Sequence, residues 1–128
     1  MERITGIGGV FFKAQDPHGL AAWYREHLGV PMEDGQTYGT LTSQAPGEVT
    51  VFATFPHDTA YFDPSQSPFM VNFRVRDLDA MLAQLREAGV PVEARIQEEV
   101  YGRFGWAMDP EGNRIELWEP APAPPPAG

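Results

Sequence analysis

The chain has no cysteine among its 128 residues, which excludes disulfide staples and thiolate metal sites at once. It is also poor in positive charge: nine Lys and Arg stand against 18 Asp and Glu, for a formal net charge of −9. Such a surface repels nucleic acid and anionic membranes, and would attract a cationic small molecule. No apolar run approaches membrane-spanning length, and no basic segment followed by an apolar one opens the chain. The expectation is a soluble, cytoplasmic protein with neither nucleic-acid nor membrane partners. Histidine is scarce too. His18 and His27 fall at the ends of the first helix and His57 in a loop, and all three read as solvated side chains rather than ligands.

What is present is one pattern written twice. Tyr24-Arg25-Glu26-His27-Leu28-Gly29-Val30-Pro31-Met32-Glu33 and Leu85-Arg86-Glu87-Ala88-Gly89-Val90-Pro91-Val92-Glu93 each end an amphipathic segment introduced by an Asp, Asp16 and Asp77 respectively. Two helices sharing a Gly-then-Pro stop would explain one coincidence. A leading Asp, a Tyr-Gly (Tyr38-Gly39 against Tyr101-Gly102) and a later Gly-containing turn (Gly47 against Gly112), recurring in order, point to tandem duplication. Phe12 then falls on Phe73.

Each half reads as β-α-β-β-β. In the first, a strand at 4–14 precedes a helix from Asp16-Pro17 to Leu28, with short strands near 31–34, 37–43 and 48–55 and a hairpin at Pro46-Gly47. In the second, a strand at 69–75 precedes a helix capped by Asp77, whose Leu78, Met81, Leu82 and Leu85 form one apolar face. Strands near 92–97, 100–108 and 114–119 follow, with Asp109 to Asn113 as the last hairpin turn. Pro64 to Pro68 reads as the linker, and residues 121–128 as a disordered Pro/Ala-rich tail. The whole is one domain over 1–120, of α+β class, made of modules 4–55 and 69–119.

Alternation along the strands separates two faces. Val71, Phe73, Val75, Ile115 and Leu117, with Val10, Phe12 and Ala14, should pack under the helices. The opposite face carries Met70, Asn72, Arg74, Glu116 and Trp118, with Gly9, Phe11 and Lys13; polar and aromatic groups mixed in this way suit a ligand-facing surface. Trp23 lies off the core stripe of the first helix, where a dimer contact or packing over a neighbour would use it.

Two such modules, and above all Asp109-Pro110-Glu111-Gly112-Asn113-Arg114-Ile115-Glu116-Leu117-Trp118-Glu119-Pro120, resemble the vicinal oxygen chelate superfamily of glyoxalase, bleomycin-resistance and dioxygenase proteins. The resemblance implies a curved, cup-shaped mixed sheet with helices outside, commonly in a homodimer. In metal-dependent branches it implies four ligands on the concave face, two from each module. Those positions read Gly9, Val51, Met70 and Glu116, of which Glu116 alone can ligate a hard or borderline cation. No metal and no cofactor is therefore expected. Without a metal the cup remains: Phe11, Met70, Asn72, Phe104, Trp106, Met108, Glu116 and Trp118 would line it, and aromatics beside one carboxylate suit a flat or cationic organic ligand. The same aromatics would equally serve as a second hydrophobic core. Three functions follow: a metal-independent small-molecule binder of the antibiotic-sequestering kind, a glyoxalase, lyase or dioxygenase-type enzyme with Glu116 as its one candidate acid or base, and a non-catalytic interaction or regulatory protein.

Overall fold

The computed structural model describes residues 1–42 and 49–122. The Pro46-Gly47 hairpin, the pairing of Gly47 with Gly112 and most of the expected tail lie outside the described residues. The elements run β1 (Ile4–Ala14), α1 (Pro17–Leu28), β2 (Tyr38–Thr42), β3 (Val49–Pro56), β4 (Phe69–Val75), α2 (Leu78–Glu87), β5 (Gln97–Glu99), β6 (Gly102–Met108) and β7 (Arg114–Pro120). Both helices begin where an Asp satisfies an orphan amide: Asp16 accepts from the Gly19 N–H at 3.0 Å and Asp77 from the Ala80 N–H at 3.0 Å. Gly29, at φ 70, ends α1 in the left-handed conformation that only glycine adopts freely.

The strands form one seven-stranded mixed sheet in the order β2-β3-β1-β4-β7-β6-β5. β1 pairs antiparallel with β4 at its centre, while β1 with β3 and β4 with β7 are parallel. The run β2-β3-β1 is thus repeated as β6-β7-β4 about a pseudo-twofold between β1 and β4, and the two modules join within one chain. This is the α+β duplication expected from the sequence, in a curled half-barrel.

Three details differ from the sequence reading. No strand forms at 31–34, where Pro31 lacks an N–H and Asp34-Gly35 turns the chain. The strand expected at 92–97 reduces to an isolated bridge between Val92 and Ala107, followed by the short β5. The alignment of the halves also shifts. Phe11 lies opposite Ala53, and Asn72 opposite Glu116. With Gly9 matched to Met70, Phe11 falls on Asn72, so Ala53, not Val51, is the counterpart of Glu116. Tyr38 lies opposite Ala53 and Trp106 opposite Glu116, which puts Tyr38 on Trp106 rather than on Tyr101. The backbone agrees: the Pro31 carbonyl accepts from Thr40 N–H and the Pro91 carbonyl from Met108 N–H, one bond made twice. Matching letters had misplaced these pairs because the loops changed length, whereas hydrogen-bond register cannot slip without turning every side chain over.

On the convex face α2 seals one core, in which Val75, Leu78, Met81, Leu82 and Leu117 are buried with Phe73 and Ile115 packed against them. α1 covers the first module through Ala21 and Tyr24, the latter 4.7 Å from the Phe52 ring. Leu82 sits directly over Gly105 of β6, 3.0 Å from where a Cβ would stand there. Leu82→Ala should therefore cost about 2–5 kcal/mol, since the cavity it leaves cannot collapse fully against the sheet. Urea unfolding should show a lower midpoint with an unchanged slope; a loss below about 1 kcal/mol would mean that α2 is not packed as described.

Candidate functional site

The concave face is built from residues i and i+2 of the central strands. β4 supplies Met70 and Asn72, β7 supplies Arg114, Glu116 and Trp118, β6 supplies Phe104 and Trp106, and β1 and β3 supply Phe11, Ala53 and Phe55. At its centre is Glu116, 1% exposed. A carboxylate removed from water needs donors, and three reach it: the Asn72 amide at 2.7 Å to Oε1, the Trp106 indole N–H at 2.9 Å to Oε2, and the Tyr61 hydroxyl, also to Oε2. Burial, the Glu116 charge and that hydrogen bond all push the Tyr61 phenol far above its ordinary value of 10.0, so it stays a donor.

Tyr61 comes from the segment between the modules, residues 57–68, which folds over the cup. The Tyr61 ring stacks on Phe55 at 5.3 Å and 5° and meets Trp106 edge-on at 6.5 Å, while Phe62 is wholly buried against Phe55. Arg114 ties the segment to the sheet. It donates to the Tyr61 carbonyl, pairs with Glu93 through two bonds of 2.7 and 2.9 Å, and lies 4.7 Å from the Trp106 ring centroid. Arg95 approaches the same ring at 4.5 Å. The Asp109–Asn113 turn contributes as well. The Asp109 carboxylate accepts from the N–H groups of Glu111 and Asn113 and from the Asn113 amide, and Ser67 donates its hydroxyl to Asn113 Oδ1.

The structure thus brings together Phe11, Met70, Asn72, Phe104, Trp106 and Glu116 on one face. Phe11, Met70, Asn72, Trp106 and Glu116 are buried there with Phe62. Trp118 stacks on Phe104 at 5.9 Å and 2° and donates to the Tyr101 carbonyl at 3.0 Å, which places it toward the β6 end. Met108, half-buried, stands at the far end of β6. Sequence reasoning missed Tyr61, Phe62, Glu93 and Arg114. The one available signal was the Tyr61-Phe62 pair, two large rings in a loop otherwise made of small or polar residues and Pro. Two open grooves lie elsewhere, one against α1 at Asp16, Leu20 and Trp23 and one at Pro64, Ser67 and Glu111.

Donor chemistry decides the question of a metal. Gly9, Ala53 and Met70 offer no oxygen or nitrogen side-chain ligand, and both oxygens of Glu116 already accept from neutral donors. Among the described residues no group of three or more His, Asp or Glu stands close enough to hold an ion, and His18, His27 and His57 are exposed. The residues do not fit the four-ligand divalent ion that the resemblance implies for metal-dependent branches. What the site can do is present a buried acceptor inside an aromatic enclosure.

Residues 9–118 match the glyoxalase-like domain. Among solved structures the chain is similar to methylmalonyl-CoA epimerase from Mycobacterium tuberculosis, 26% identical with a TM-score of 0.62 over 93% of this chain and 90% of that one. It is similar in fold to the Streptomyces coelicolor methylmalonyl-CoA epimerase in complex with 2-nitronate-propionyl-CoA, 18% identical with a TM-score of 0.70 over 94% and 100%. A glyoxalase/bleomycin resistance protein/dioxygenase superfamily member from Vibrio splendidus 12B01 shares 14% identity, with a TM-score of 0.58 over 93% and 99%. No curated protein matches the chain.

The raised Tyr61 phenol has a consequence for stability. A group whose pKa is higher folded than unfolded contributes stability that is complete below the unfolded value and is lost as pH rises toward the folded one. Stability should therefore fall above pH 10.0, the ordinary Tyr value. Tyr101 is also raised, chiefly by burial and by Glu99, so the comparison that isolates Tyr61 is Tyr61→Phe. That variant should be less stable at neutral pH by about 1–3 kcal/mol and show a shallower alkaline decline in denaturant midpoints. Parallel curves for the two proteins would place Tyr61 in contact with water.

Proposed function

The chain belongs to the glyoxalase-like domain family, and on that premise we propose that it is a metal-independent binding protein whose concave face takes a flat organic molecule against Trp106 and Glu116. The observation that carries this reading is the buried Glu116 carboxylate, held by three neutral donors within a wall of aromatic rings. Structural cores are built most simply from apolar groups of matched volume, and a buried ion is weak evidence for stability. A carboxylate aimed into an aromatic enclosure suits recognition instead.

Of the two ligand chemistries, aromatic and cationic, the surroundings favour the aromatic. Two guanidinium groups, Arg95 and Arg114, already lie over the Trp106 ring, so the cation–π positions there are filled and a further positive charge would meet both. Flat rings remain welcome: Phe11, Phe55, Phe104 and Trp106 supply faces and edges. Sequestration of an aromatic antibiotic fits this description, and so does carriage of an aromatic metabolite. The metal-dependent chemistry that the family resemblance implies is not carried over, because Gly9, Ala53 and Met70 supply no oxygen or nitrogen ligand. A homodimer stands beside this as a proposal: Tyr38 and Leu41 on the edge strand β2 are exposed, and sedimentation velocity would test it.

A thermal-shift screen of aromatic compounds, followed by calorimetry, tests the reading, since a ligand at 100 times its Kd adds about 2.7 kcal/mol of stability. Trp106→Ala should weaken a confirmed ligand several-fold or more, because contacts to an indole face are worth about 0.5–2 kcal/mol. Unchanged affinity would make Trp106 a core residue with no part in binding.

A further inference from the structure

The cup that should receive a ligand is filled by the protein itself. Tyr61 enters it with its ring stacked on Phe55, its edge toward Trp106 and its hydroxyl on Glu116 Oε2. Resting on the concave-face reading, we propose that the Tyr61–Phe62 segment is an internal stand-in for the ligand, and that the ligand class is a phenol whose hydroxyl replaces that of Tyr61 on Glu116.

Three features support this. First, the stand-in belongs to a segment that can leave without dismantling the sheet. Residues 57–68 contain no strand, and their backbone bonds are mostly local: Thr59 N–H to the Pro56 carbonyl, Asp63 to Ala60 and Ser65 to Phe62. Segments held by turns rather than ladders open at lower free energy than the sheet beneath them. Besides the Tyr61 hydroxyl and the burial of the Tyr61 and Phe62 rings in the cup, which are the contacts a ligand would replace, the ties to the sheet are few and polar: Arg114 to the Tyr61 carbonyl, Ser67 to Asn113, and Lys13 N–H to the Pro68 carbonyl at 2.8 Å. Two of these sit at the foot of the segment and act as a hinge.

Second, the position Tyr61 occupies specifies more than a ring. A phenol donates one hydrogen bond to the carboxylate, whereas a plain hydrocarbon of the same shape would leave that oxygen short of a donor in a buried setting. The ring lies between a stacking face, Phe55, and an edge contact, Trp106, so a flat six-membered ring is matched on two sides.

Third, charge favours a neutral donor. Burial and the Glu116 charge raise the Tyr61 phenol against the opposing pull of Arg114, and the same surroundings would keep a bound phenol protonated on Glu116 Oε2.

The test uses 4-methylphenol, the Tyr61 side chain as a free molecule, and toluene, the same shape without the hydroxyl. In wild-type protein, 4-methylphenol should speed amide deuterium exchange at residues 59–66 at least fivefold while leaving β4 and β7 protected, and toluene at equal concentration should not. Tyr61→Ala should bind 4-methylphenol at least tenfold more tightly than wild type, and at least tenfold more tightly than it binds toluene. Should that variant fail to fold, Tyr61→Phe, which keeps the ring and loses the hydroxyl, should still bind the phenol more tightly than wild type. Equal responses to the two compounds, binding of the phenol without opening of 59–66, or no binding to wild type and variants alike would each overturn the proposal. An aromatic whose affinity depends on Trp106 but which leaves exchange at 59–66 unchanged would end this inference and spare the binding reading. A phenol that opens the segment with no dependence on Trp106 would instead end the concave-face reading itself.

Discussion

A carboxylate taken out of water must be surrounded by donors or become neutral, and the placement of Glu116 imposes that demand on everything around it. Asn72 meets part of it from β4, Trp106 from β6 and Tyr61 from the segment joining the modules. Each donor has its own support. Trp106 is held against Arg114, Arg114 is held by Glu93, and Tyr61 is held by stacking on Phe55 and by its carbonyl on Arg114. Three adjacent strands, β4, β7 and β6, and a loop therefore share one polar centre, and the concave core of Phe11, Phe62 and Met70 closes around it.

Duplication gave both halves the same frame, but only one carries this centre. The register places Ala53, Phe11 and Tyr38 in the first module where the second has Glu116, Asn72 and Trp106. The first half thus contributes apolar surface, and Tyr38 stays half in solvent on the edge strand. This asymmetry leaves the cup with a single carboxylate at one side rather than a balanced set of ligands from both halves, which is why the residues do not suit ion coordination.

Much of this was legible from the residues. The Asp caps with the Gly stop of α1 fixed the helices, alternation sorted β4 and β7 into two faces, and the Asp109–Asn113 turn with Glu116 after it pointed to the candidate site. Offsets counted from matched letters failed at Val51 and at Tyr38, because insertions in loops break letter spacing while the sheet preserves hydrogen-bond register. Tyr61 and Phe62 escaped notice for a different reason. Loop residues follow no period, so nothing in the local pattern says that a ring at 61 will stack on one at 55 and reach a carboxylate at 116. The relevant signal was energetic: two adjacent large rings in a polar loop will be buried somewhere.

The central claim is that the segment between the modules is fastened to the sheet by the Tyr61 hydroxyl on Glu116. A double-mutant cycle of Tyr61→Phe and Glu116→Gln, read by chemical denaturation at neutral pH, isolates that bond from the packing of either side chain. A coupling of about 1–3 kcal/mol is the predicted result. Additive effects, with coupling below about 0.3 kcal/mol, would contradict it and leave Tyr61 packed over the cup without being bound to its floor.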